Sequence, residues 1–209
     1  MFFSRLVSGF LGLASVVLAP SAYAISDVGF DHALPLAPRQ LELGGGAAGG
    51  DDAFSVYGVA RFGLVDDLDI GARAGVVEGL ASGPTLGVEL EASPRFRFLR
   101  TEDTGVVDVA VTGAVSFAKS SKVFAFGMDP GLVASHHFEI DDDRMLYVSA
   151  GIGVALTFVD LDAEDADVEA GVLALVGAGV DVLPRVRLSL EARIRDELQR
   201  FGLSLSYFF

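Results

Sequence analysis

Ser135, His136, His137 and Glu139 fall within a run of five residues. A hydroxyl, an imidazole and a carboxylate are the parts of a nucleophilic relay, in which the base takes the hydroxyl proton and the acid orients the base. In an extended strand neighbouring side chains point to opposite faces, so Ser135 and His137 share one face and His136 takes the other. The run ends at the turn 141–143, so residues of a strand end also account for it. Two further clusters invite chemistry and lack its full pattern. The run Gly44–Gly50, followed by Asp51 and Asp52, has no Lys-Ser/Thr pair to complete a phosphate-binding loop, and reads as a strand end and turn. Asp160, Asp162, Glu164, Asp165 and Asp167 lack the Gly at the sixth position and the Glu at the twelfth that a calcium loop uses. They read as a solvated loop, with weak bridging of divalent cations as the lesser expectation. No metal site, cofactor or catalytic residue is assigned.

The more extensive set is a series of charges at every second position. Between residues 86 and 98, Leu86, Val88, Leu90, Ala92, Pro94, Phe96 and Phe98 share one face. Gly87, Glu89, Glu91, Ser93, Arg95 and Arg97 share the other. A slip of one residue would exchange the two faces. If the apolar face meets lipid, that slip costs on the order of 10 kcal/mol for the four charges. The same alternation places Arg61, Arg73, Asp108, Arg187, Glu191 and Arg193, together with Glu42 and Asp69, on the face opposite the apolar residues. Both signs occur in similar number, and buried charges must be paired.

Ten strands carry these residues: about 39–48, 54–64, 68–77, 86–98, 106–117, 124–134, 145–158, 168–182, 185–194 and 201–209. Asp66-Asp67, the polar stretch 101–104, the turn 141–143 and Pro184 join them in alternation with longer connections. Two strands are less regular. Pro130 removes a ladder donor from the sixth and predicts a bulge or weakened pairing. The eighth is mostly apolar on both faces. An eight-stranded count follows if the first or the sixth is not a strand.

Composition bounds the setting. The net charge of -14 excludes a nucleic-acid partner, and there is no Cys to form a disulfide. Arg5, the apolar stretch Leu6–Ala19 and Ala22-Tyr23-Ala24 form a secretory signal with cleavage after Ala24. Residues 25–38, with Pro35 and Pro38, then read as an N-terminal periplasmic arm, outside the barrel or tucked into its mouth, before a single domain at 39–209.

Phe201, Leu203, Leu205, Tyr207 and Phe209 alternate with small or polar residues up to a terminal aromatic. This stretch resembles the C-terminal insertion signature of small, porin-like bacterial outer-membrane β-barrel proteins. The resemblance implies an all-β, up-and-down antiparallel transmembrane barrel in a Gram-negative outer membrane. It also implies handling by the barrel-assembly machinery, and contact with outer-membrane lipids and lipopolysaccharide, which Lys119 and Lys122 would meet weakly. The chain would be a monomer, with both termini on the periplasmic side.

Arg61, Arg73, Glu89, Glu91, Arg95, Arg97, Asp108, Arg187, Glu191 and Arg193 would then line the lumen. They would either fill it with a self-neutralising network or form a narrow constriction passing ions or small solutes. A barrel hydrolase acting on lipid A or peptides is the remaining alternative. Such enzymes act at the outer rim, and the Ser135–Glu139 run falls at the opposite end. The expected role is structural or at the cell surface, without catalysis.

Overall fold

The computed structural model describes residues 32–50, 53–79, 85–121, 123–141, 144–161, 167–195 and 198–209. The expected signal peptide, the arm before His32, Asp51-Asp52, Lys122 and the acidic residues 162–166 lie outside them. Among the described residues the strands are β1 (Leu41–Gly50), β2 (Ala53–Val65), β3 (Leu68–Gly79) and β4 (Thr85–Leu99). Next come β5 (Asp108–Thr112 and Val115–Lys119) and β6 (Val123–Met128 and Gly131–Asp141). The last four are β7 (Arg144–Leu161), β8 (Asp167–Leu183), β9 (Val186–Arg195) and β10 (Leu198–Phe208). One helical turn, α1 (Thr101–Thr104), stands between β4 and β5.

Each strand pairs antiparallel with its neighbours in sequence, and β1 pairs with β10, with Gly44 opposite Ser206. The sheet is therefore a closed, up-and-down ten-stranded barrel. Closure leaves no free sheet edge.

Both β5 and β6 are interrupted, and Pro130 is the cause. Thr112 faces Gly131 on one side of the gap and Val115 faces Met128 on the other, which is one unbroken register. Ala114 and Asp129 still exchange both backbone bonds, at 3.2 and 2.9 Å. The pairing expected to weaken does so without a bulge. Among the described residues bulges occur elsewhere, all at one rim. The hairpins β2–β3, β4–β5, β6–β7 and β8–β9 each shift register beside their turn, at Gly63/Val65, Arg97/Leu99, Glu139/Asp141 and Asp181/Leu183. Extra residues there add twist and draw the strand ends together. The same rim holds the start of β1 and the end of β10.

Side-chain facing follows the alternation of the sequence. Every strand shows large apolar residues on the outside, among them Leu43, Phe54, Ile70, Leu90, Phe117, Leu132, Ile152, Val172, Leu190 and Leu203. Phe201, Leu205, Tyr207 and Phe209 also lie outward. The inside is mostly charged, small or tyrosine, and it departs from the expectation of a wholly polar lumen at Phe208, at Val159 and in one apolar sector. Ala110, Val133, Leu173 and Leu175 form a buried apolar sector joined by Ala33. The inner face of β8 is apolar because it packs against the N-terminal arm.

Of the two placements expected for the arm, its described part from His32 takes the one inside the barrel. From Gln40 the chain turns back and enters the lumen, where His32, Ala33 and Leu36 are buried. Arg39 makes the turn with φ 67°, so β1 begins at Leu41 and not at Arg39.

Candidate functional site

The site is the lumen and the arm that occupies it. Asp69 on β3 is its node, fully buried. Its Oδ1 accepts from Arg61 Nη2 at 3.0 Å. Its Oδ2 accepts from Arg95 Nη2 at 2.5 Å and from the Leu36 backbone N–H at 3.0 Å. Arg95 donates in turn to the His32 carbonyl at 2.7 Å, and Ser135 Oγ accepts the Ala33 N–H at 2.9 Å. Three backbone groups of the arm are thus bound by wall side chains from β3, β4 and β6. At the rim the Arg39 N–H donates to the Gly63 carbonyl at 2.8 Å. A side chain at Gly63 would stand 2.0 Å from the Ala37 carbonyl oxygen, so the arm passes here only over glycine.

A Gly–Tyr–Arg unit occurs twice on the wall. Tyr57 lies opposite Gly46, and the Arg73 guanidinium sits 4.1 Å from the centre of its ring. Tyr147 lies opposite Gly179, and the Arg187 guanidinium sits 4.4 Å from its ring. A Cβ on Gly179 would come within 2.4 Å of three Tyr147 atoms, so the ring lies flat because the partner has no side chain. Arg187 is also 4.5 Å from the Phe208 ring, which faces inward from β10. Each flat ring is a partner for a guanidinium shielded from water.

The remaining charges pair locally. Arg73 bonds Glu89, and Arg193 bonds Glu191. Arg187 Nε donates to Asp181 at 2.9 Å. Arg97 joins Asp67 and Asp108, at 3.0 and 3.1 Å. At the exposed turn between β2 and β3, the Arg100 hydrogen bond holds the Asp67 carboxyl below its usual range, with Arg97 adding to the effect. Beyond the arm a cavity of about 50 Å³ remains, lined by Glu42, Tyr57, Arg73, Glu191, Arg193 and Arg200. A water needs roughly 10–15 Å³, so this space has room for a few waters.

All ten charged residues proposed from the sequence lie on the inside of the wall. They form several small pairs around the arm, not one ring. Sequence reasoning did not find the role of His32, the Asp69 node, the two tyrosine platforms or Arg200. Arg200 fell in the expected turn before the last strand. The doubly apolar β8 was the signal that something apolar sits inside.

The Ser135–Glu139 run is divided. The Ser135 hydroxyl is engaged by Ala33. His137 Nδ1 lies 3.2 Å from Asp108 Oδ2, while His136 is exposed and contacts the Val106 carbonyl. A relay needs the hydroxyl on the imidazole, and here the hydroxyl serves the arm.

No family model matches the chain, and no curated protein matches it. Solved structures do. The translocator domain of the autotransporter NalP from Neisseria meningitidis is similar at a TM-score of 0.55 and 10% identity, over 99% of this chain and 96% of that one. A KdgM porin gives 0.39 and 10% identity, over 79% of this chain and 98% of that one. A bacterial polysaccharide outer membrane secretin gives 0.47 and 11% identity over 75% of this chain, which spans 57% of that structure. The NalP likeness extends along the whole barrel and concerns its fold.

Proposed function

We propose that this chain is a bacterial outer-membrane β-barrel whose lumen is closed by its own arm and ion pairs, with a structural or surface role and no catalysis. The observation that carries this reading is the division of the closed sheet into two faces. Large apolar side chains lie exposed on the outside of all ten strands, while charged residues in the middle of the strands, among them Arg61, Arg73, Glu89, Glu91, Arg95 and Arg193, face inward. Water is a poor solvent for so extensive an apolar surface. Lipid is a good one, and a closed barrel brings it no free backbone groups. The barrel is a monomer held among outer-membrane lipids and lipopolysaccharide, inserted by the assembly machinery that handles such barrels.

A narrow passive channel is the second reading, favoured by the polar cavity beyond the arm. Refolding into lipid vesicles with single-channel recording separates the two. A folded species with heat-modifiable gel migration and no steady conductance at neutral pH supports the closed barrel. Steady conductance altered by Arg95→Ala or Glu89→Ala supports the channel. A chain that folds as a soluble species without detergent or lipid rejects both.

A further inference from the structure

His32 sits where the arm meets the most charge. It is 3% exposed, and its ring lies edge-on to Tyr147 with centroids 4.8 Å apart. Arg187 Nη1 stands 2.9 Å from Nε2 and Arg95 Nη1 stands 3.4 Å from Nδ1. A guanidinium carries donors only and keeps its charge at any ordinary pH. The 2.9 Å contact is therefore a bond from Arg187 to an unprotonated Nε2. A neutral imidazole meets this need; its one proton then stands on Nδ1, turned toward Arg95 at 3.4 Å with no bond between the two donors.

The charged groups around the ring come from six strands. Arg61 stands on β2, Asp69 on β3, Arg95 on β4, His137 on β6, Asp181 on β8 and Arg187 on β9. The two carboxylates already serve arginines: Asp69 takes Arg61 and Arg95, and Asp181 takes Arg187. Burial first, then Arg95 and Arg187, hold the His32 pKa well below its ordinary value.

We infer that the arm is a proton-released plug: His32 anchors it in the lumen as a neutral acceptor, and a proton on the ring expels it. With Nε2 protonated, the bond from Arg187 becomes a clash of two donors and two like charges. Outside the lumen the ring meets water and takes the proton without penalty.

The sign follows from linkage. The seated state holds one proton fewer than the released state, so release gains as pH falls below about 6.5, the ordinary histidine value. Between pH 7.5 and 5.0 the release equilibrium rises about thirtyfold.

Amide hydrogen exchange of the full chain in lipid nanodiscs measures this even when release is rare. The reporters are the Ala33 and Leu36 amides, both bonded to the wall. After correction for intrinsic exchange, their protection falls about thirtyfold from pH 7.5 to 5.0. Protection of Ala47 and Leu203, paired between β1 and β10, stays constant. His32→Gln keeps an acceptor and removes the titration, so the drop disappears. Arg187→Gln removes one cation, so the drop shrinks severalfold; this second variant decides the matter if His32→Gln no longer seats the arm. Histidine NMR of the unmodified chain finds the seated ring neutral at pH 5. No drop in the unmodified chain, an undiminished drop in the variants, or a ring that titrates near 6.5 with the arm still protected would each overturn the inference.

Discussion

The Asp69 carboxylate reaches across the lumen to take the backbone N–H of Leu36 at 3.0 Å. A wall residue of β3 thereby holds the arm by its main chain, and the same oxygen is bonded by Arg95. Asp69→Asn would leave Arg61 and Arg95 buried beside a neutral amide. Removing one partner of a buried ion pair costs about 3–5 kcal/mol. Denaturant unfolding in vesicles, followed by heat-modifiable gel migration, should show a loss of that size.

Gly63→Ala separates the arm from the barrel. The added methyl would meet the Ala37 carbonyl, which is backbone and cannot swing away. The expected result is an intact barrel with its arm displaced. Protease cleavage within residues 32–38 should rise while gel migration of the barrel stays unchanged. Equal protection of the arm in both chains would count against its tight passage over Gly63.

Leu90→Arg tests the outer face. Leu90 is 57% exposed, and in water a charge there would be harmless. At the bilayer midplane it costs about 2–4 kcal/mol. Unfolding in vesicles distinguishes the two surroundings, and a neutral effect would remove the membrane reading.

Tyr147 separates ring from hydroxyl. The ring covers Gly179, stacks under Arg187 and meets His32 edge-on. Its hydroxyl is buried and bonds no group among the described residues. Tyr147→Ala should therefore cost about 3–5 kcal/mol. Tyr147→Phe should be neutral or stabilise by about 1 kcal/mol, because it removes a desolvated hydroxyl. Urea titrations of both variants provide the comparison.

Much of this barrel was legible in the sequence, and the reason is its two-faced environment. Where one face meets charges and the other apolar surroundings, period-2 alternation states the facing of each residue, as Glu89, Glu91 and Arg95 show on β4. Asp69 could be placed inward by the same rule. Its place as the node could not, because its partners come from residues 8 to 33 positions away. The arm carried no periodicity, and its two prolines said only that it was irregular. Its destination was written on other strands, in Leu173 and Leu175 of β8 and in the side-chain-free passage at Gly63. The rim bulges were equally silent, since one extra residue in a turn-proximal strand end looks like any other.

Among the described residues the cations buried in this lumen are arginines: Arg61, Arg73, Arg95, Arg187, Arg193 and Arg200, while Lys119 stands in an exposed position. Guanidinium charge is permanent, whereas carboxylates and the arm's imidazole can be neutralised or charged by protons. The interior is thus built from one fixed sign and one erasable sign. Any acidification shifts its balance toward positive. The two signs are present in similar number, so whatever passes an opened barrel would meet a lumen that turns from balanced toward anion-preferring as acidity rises.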